Sequence, residues 1–271
     1  MPIAKKEMLY PAVEVNRPAL RIGVMLNSWT PAAWMAEILR SVQGSGFASI
    51  TCVLLNTEKP PAASGSSWPM RVRRLLSGKA RLKTLLWRLY ERLDANRHPH
   101  LNTPFQPVDV SDMLRDAAVI SITPQRKGFV HRFKDRDVAR VRAENLDVIL
   151  RFGFNILRGA VLDSARHGIW SYHSGDNNKF RGGPAAFWEM YERDPVTGCV
   201  LQVLTEELDG GKVIFRSYGA TASFDWLLMN RWSLYRKCVP FVMRCLRRLY
   251  INGAIECEEP AAPYKIGRAH V

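Results

Sequence analysis

The chain has 271 residues, 47% of them hydrophobic and 24% charged, which suits one domain with a sizeable core, alone or with a small appendage, and excludes a largely disordered chain. No apolar run reaches the roughly 20 residues that span a bilayer. The formal charge of +14 calls for an anionic partner, which charge alone leaves open among nucleic acid, a membrane surface and a phosphorylated substrate.

Residues 1–18 hold Lys5 and Lys6 but no continuous apolar segment and no small-residue cleavage site, so they read as a lead-in rather than a signal peptide. Residues 19–26 are short, apolar and partly β-branched, as a buried strand is. Thr30 and Pro31 suit the cap and first position of a helix whose apolar face is Trp34, Ile38, Leu39 and Val42. A second strand at 48–55 completes a strand–helix–strand opening, which predicts a parallel, doubly wound α/β sheet. Residues 57–110 read as an insertion. Within it, 70–94 is a basic helix, divided at Gly78, with Val72, Leu75, Leu76, Leu82, Leu85, Leu86, Leu89 and Leu93 at helical spacing. Arg71, Arg73, Arg74, Lys79, Arg81, Lys83, Arg88 and Arg92 make it a solvated face, a phosphate-binding lid, or a contact with membrane or RNA.

Alternation then resumes: strand 117–122, helix 135–144, strand 146–151, helix 157–165, and strand 168–172 running directly into His173. A helix at about 184–193 and strands at 198–204 and 212–216 follow. From 217 onward the chain reads as a helical C-terminal region, interrupted at Pro240, with a patternless tail from 251. The five cysteines are Cys52, Cys199, Cys238, Cys245 and Cys257. Odd in number, widely spaced and without C-x-x-C, they predict buried thiols in a reducing compartment rather than disulfides or zinc ligands.

The informative stretch is 146–214. A histidine stands where a strand ends, followed by a polar, glycine-rich loop of Ser174, Gly175, Asp176, Asn177, Asn178, Arg181, Gly182 and Gly183. Asp209 then precedes Gly210 and Gly211. Ligand sites of parallel sheets gather at the carboxyl ends of strands, so His173 and Asp209 suit an acid–base pair. A satisfied structural histidine and a turn aspartate fit the same residues.

This stretch resembles the catalytic half of the folate-dependent formyltransferases, which include methionyl-tRNA, glycinamide ribonucleotide and amino-sugar enzymes. The family pattern is a strand ending Asn-x-His, an Arg-Gly pair eight residues beyond the histidine, a Thr-Gly before the next strand, and a final Leu/Ile-Asp-x-Gly. Here these are His173, Arg181-Gly182, Thr197-Gly198 and Asp209, with no gap from Leu157 to Arg181. The family's asparagine is replaced by Ser171, whose hydroxyl has a shorter reach than an amide.

The resemblance implies transfer of a formyl group from 10-formyltetrahydrofolate to an amine on a small acceptor, a sugar-nucleotide-linked amino sugar being favoured. Protonated His173 would stabilise the negative charge on the formyl oxygen, with Asp209 holding it charged. Ser171, or an amide of Asn177 or Asn178, would supply the missing donor. The folate would lie along Arg151, Phe152, Gly153, Phe154, Asn155, Ile156 and Leu157 and against Glu207 in the 205–209 turn. The loop of Asn177, Asn178, Arg181 and Gly182 would hold the acceptor. No metal is expected. A cytoplasmic location is expected, and nucleic-acid binding and a homodimer stay open. The alternatives are formyltetrahydrofolate hydrolysis, methionyl-tRNA formylation, and a binding protein that keeps the fold without the reaction.

Overall fold

The computed structural model describes residues 17–58, 78–208, 210–259 and 265–266. Strand β1 (Leu20–Leu26) is followed by helix α1 (Ala33–Gln43) and strand β2 (Ala48–Asn56), which lies parallel to β1. Helix α2 (Gly78–Arg97) and a 3-10 turn (Pro99–Phe105) lead to β3 (Ala118–Ile122), parallel to β2 at the sheet edge. The part of the basic helix expected at 70–77 lies outside the described residues. Two short strands, β4 (Gln125–Lys127) and β5 (Val130–Arg132), precede helix α3 (Asp135–Ala143) and the central strand β6 (Val148–Arg151). Strand β7 (Ile156–Arg158) joins β4 and β5 in a separate ribbon.

The functional half continues with β8 (Ile169–His173), the two-residue β9 (Phe180–Arg181) and helix α4 (Phe187–Tyr191). A hairpin of β10 (Val196–Val203) and β11 (Lys212–Ala220) leads to the long helix α5 (Leu227–Asn252), and β12 (Lys265–Ile266) pairs with β9. The main sheet has the order β11-β10-β8-β6-β1-β2-β3. Its pairs from β8 to β3 are parallel, and β10 and β11 are antiparallel, so the predicted mainly parallel α/β sheet is what forms. The inner strands are covered on both faces, which is why β6 buries Val148, Ile149 and Leu150 in succession. One face packs on α1 and α5 through Ile38, Leu39, Leu234, Val242 and Leu246, and the other on α3 through Val138 and Val141. The C-terminal helix therefore shares the core of the sheet.

Several local expectations change. Helix α1 begins at Ala33, not at Pro31, and Thr30 does not cap it. The segment before it is held by a crossing strand segment: Ala33 N donates to Gln106 O (2.8 Å), Val108 N to Pro31 O (2.9 Å) and Val110 N to Trp29 O (2.9 Å). The helix expected at 157–165 is strand β7 and a 3-10 turn at Ala160–Asp163, because Gly159 takes φ 84° and residues 156–158 pair with β5. The helix expected at 184–193 shortens to Phe187–Tyr191. Helix α5 runs through Pro240 without a break, since Phe241, Val242, Cys245 and Leu246 beyond it share a core with Leu234 and Cys238 before it.

The cysteine reading also needs correction. Cys199 on β10 and Cys238 on α5 form a disulfide, with Cα atoms 6.7 Å apart. Packing α5 across β10 brings together two residues 39 apart in sequence, which spacing rules cannot detect. Cys52 and Cys245 are buried thiols, each pushed up to about 12 by burial, while Cys257 is exposed.

Candidate active site

The site is built where β6 and β8 end. Ser171 and His173 are two apart on β8 and so share one face of the sheet; both are buried, at 3% and 7% exposure. Parallel pairing sets Arg151, the last residue of β6, beside Ser171. The Arg151 guanidinium donates through Nη1 to Ser171 Oγ (3.0 Å) and through Nη2 to the carbonyls of Phe154 (3.1 Å) and Asn155 (2.9 Å). The 152–155 turn thus wraps the head of Arg151. Gly153 is required there, since a Cβ would stand 2.6 Å from the backbone of Leu26 and Asn27 at the end of β1. Asn27 Oδ1 accepts from Phe154 N (2.7 Å) and closes the turn onto that strand.

His173 Nε2 lies 3.0 Å from the carbonyl oxygen of Phe180. A carbonyl only accepts, so Nε2 carries a hydrogen in this contact. Gly175 lets a buried acid approach the ring: a Cβ there would lie 3.2 Å from Glu189 Oε1 and 3.3 Å from His173 Nε2. Glu189, on α4, is 1% exposed and accepts from Asp176 N (3.3 Å). Burial pushes its carboxyl above the ordinary range, against the pull of backbone donors and of His173.

Residues 176–181 are organised from below by Arg216 of β11. Its Nη1 donates to Asp176 Oδ1 (2.9 Å) and Asn177 Oδ1 (2.8 Å), and its Nη2 reaches Asn178 Oδ1 at 3.5 Å. The Asn177 amide nitrogen donates to Gln202 Oε1 (3.4 Å). Arg181, 3% exposed, donates to the Asn177 carbonyl (3.2 Å) and pairs with the Glu207 carboxylate. The Thr197-Gly198 pair has a packing reason: a Cβ on Gly198 would stand 2.8 Å from the backbone of Asp176.

A cleft of about 210 Å³ opens over these residues, lined by Arg151, Asn155, Ile156, His173, Gly182 and Leu208, with Phe129 at its side. Five of the residues expected at the site therefore line it, and Ser171 sits behind Arg151. Phe152, Gly153, Phe154 and Leu157 shape the turn, while Asn177, Asn178, Arg181 and Glu207 bond to one another, to Arg216 and to Gln202. Asp209 lies outside the described residues; its neighbour Leu208 is in the cleft wall. Glu189 and Arg216 escaped the reading of the sequence. The one visible signal was an acid inside the otherwise apolar Phe187-Trp188-Glu189-Met190 run. Among the described residues no three His, Cys, Asp or Glu side chains gather as a metal site, and no helix is long and apolar enough to cross a membrane.

A seven-stranded sheet of this order, with a histidine at the end of β8 facing a cleft, has the fold of the folate-dependent formyltransferases. Solved structures show it directly. Glycinamide ribonucleotide transformylase 1 from Symbiobacterium toebii superimposes with a TM-score of 0.56 at 15% identity, covering 89% of this chain and 94% of that one. A formyltetrahydrofolate deformylase from Pseudomonas syringae gives 0.54 at 14% identity over 88% and 63% of the two chains. An N-formyltransferase from Helicobacter canadensis, in complex with folinic acid and dTDP-3-aminofucose, gives 0.50 at 10% identity over 94% and 72%. In sequence, a methionyl-tRNA formyltransferase from Prochlorococcus marinus is 30% identical over 83 residues, 30% of this chain. That match spans 24% of the relative's own length. No protein-family model matches the chain.

Proposed function

We propose that this protein transfers a formyl group from 10-formyltetrahydrofolate to an amine of a small acceptor, a nucleotide-linked amino sugar by preference. The observation that carries the reading is the buried His173 at the end of β8, opening on the cleft beside Arg151 and Ser171. The acceptor class is drawn from the Helicobacter canadensis enzyme, whose complex holds both a folate and an amino-sugar nucleotide.

In this reading the amine attacks the formyl carbon and negative charge gathers on the formyl oxygen. The tetrahedral adduct then collapses with cleavage of the bond to the folate nitrogen N10, and the proton given up by the amine is returned to N10 of the departing tetrahydrofolate. His173, protonated at both ring nitrogens, is one stabilising group. The second is the Arg151–Ser171 pair, standing where the resemblance expects an asparagine. Ser171 Oγ accepts from Arg151, so its own hydrogen is directed elsewhere, at present toward the Tyr172 carbonyl at a long 3.4 Å. That weak contact can be exchanged for the formyl oxygen, with the guanidinium charge behind it. Asn177, Asn178 and Ser171 are all outside the cleft lining, but Arg216 holds the two asparagine side chains while Ser171 is bonded to Arg151, which does line the cleft, and this favours the Arg151–Ser171 pair for the task. Asp209, following Leu208 of the cleft wall, is assigned to hold His173 charged and to receive the amine proton, directly or through water. The donor is assigned to this cleft, whose lining joins apolar Phe129, Ile156 and Leu208 with polar Arg151, Asn155 and His173.

The test is incubation with 10-formyltetrahydrofolate and a panel of amines that includes nucleotide-linked amino sugars, with product mass and tetrahydrofolate release measured. A formylated amine is expected. Release of formate alone would assign the hydrolysis seen in the name of the Pseudomonas syringae neighbour. No turnover, together with no thermal shift on adding folinic acid, would sink the enzymatic reading.

A further inference from the structure

Helix α2 presents two unlike faces. Its inner face is tied to the domain: the Trp87 ring packs edge-on to Phe187 at 5.6 Å, and Leu227 N donates to Tyr90 Oη at 2.9 Å. Asp94 is buried and accepts from Leu228 N (2.7 Å), capping the start of α5. Glu91 lies 3.6 Å from Arg231 of α5. These are the two acidic residues of α2, and each is engaged toward α5.

The outer face carries Leu85, Leu86, Leu89 and Leu93, which are 64%, 55%, 52% and 54% exposed. Leu85, Leu89 and Leu93 follow i, i+4, i+8 spacing, with Leu86 beside them, so they form one stripe along the helix. Arg88 and Arg92, also four apart and exposed, run along its border. Arg97, exposed in the last turn, adds to the positive charge of the same helix. Four large leucines in one exposed row are not the scatter of single apolar residues that surfaces tolerate.

We infer that the outer face of α2 docks on an anionic lipid bilayer, with the leucine stripe at the headgroup–acyl boundary and the arginines against lipid phosphates. An apolar stripe bordered by basic residues, on a helix whose two acids are engaged with α5, matches such a surface in both hydrophobicity and charge. RNA would use the arginines but leave the leucines in water. A second copy would bring two arginine-bordered stripes and two chains of charge +14 together, a like-charge contact that a bilayer avoids.

The experiment is sedimentation of the full chain with vesicles of phosphatidylcholine alone and of phosphatidylcholine mixed with phosphatidylglycerol, at low and high salt. Binding to the mixed vesicles is expected, weakened by salt. The Leu85→Ser/Leu89→Ser variant should partition on the order of tenfold less. Arg88→Glu/Arg92→Glu should lose on the order of a hundredfold. Both should keep the parent circular dichroism and melting temperature, because the side chains are exposed. Failure of the parent to bind either vesicle would overturn the inference, as would binding that ignores the leucine changes. So would a protein dimer abolished by Leu→Ser without lipid binding, or RNA retention that depends on the arginines alone. Lost stability in the leucine variant without vesicle binding would assign the stripe to another segment of this chain.

Discussion

Ser171 shows how one residue's meaning depends on its neighbour. Alone it is a short donor in place of an amide; hydrogen-bonded to Arg151 at 3.0 Å it gains a fixed positive charge behind its oxygen. If the pair stabilises the formyl oxygen, Ser171→Ala should raise the barrier by about 2–4 kcal/mol, seen in kcat more than KM. Arg151→Lys, which keeps the charge but loses the forked geometry, should lower kcat by a similar order. Equal kcat in parent and both variants would remove the pair from the reaction. Asp209→Asn should lower turnover on the order of 100-fold with little change in melting temperature; parent-like rates would leave Asp209 a turn residue. His131 carries a different kind of prediction. It is 1% exposed, accepts from Asn155 N on Nδ1 (3.2 Å), and lies 3.1 Å from Glu58. Burial lowers its pKa below the ordinary histidine value and outweighs the opposing pull of Glu58. The folded state therefore binds protons less readily here than the unfolded chain. The stability His131 contributes is full above the ordinary histidine range and is lost as pH falls through the lowered value. Melting temperature measured against pH should fall on the acid side, and His131→Gln should flatten that part of the curve.

At the scale of elements, the loop after β8 depends on the hairpin beneath it. Gly198 on β10 leaves room for the Asp176 backbone, and Arg216 on β11 reaches Asp176, Asn177 and Asn178. Gly198→Ala forces a Cβ to 2.8 Å from Asp176 and should destabilise the protein by about 1–3 kcal/mol. Limited proteolysis should then cut within 174–182 faster than in the parent; an unchanged cleavage rate would show that the loop holds its place without the hairpin. The strands β1, β2, β6 and β8 were legible because their apolar residues run together without a competing pattern. Residues 156–158 were not, because three residues carry too little periodicity and their strand state comes from pairing with β5.

For the whole molecule, the disulfide between Cys199 and Cys238 ties the antiparallel end of the sheet to the C-terminal helix. Thiol titration of the denatured, unreduced chain should find Cys52, Cys245 and Cys257 and not the other two. Replacing both bonded cysteines with serine should lower stability by about 2–4 kcal/mol in chemical denaturation. Five reactive thiols in the unreduced chain would contradict the bond.

The sequence by itself determined the layered α/β sheet, the position of His173 at a strand end and the resemblance carried by 146–214. These are local: strand periodicity, glycine turns and motif spacing are properties of neighbouring residues. Only the tertiary structure decided that Arg151 meets Ser171, that Glu189 approaches His173, that Arg216 claims Asn177 and Asn178, and that Cys199 meets Cys238. Each of those pairs joins different elements, and strand order and helix packing, which a linear pattern does not encode, set which side chains meet.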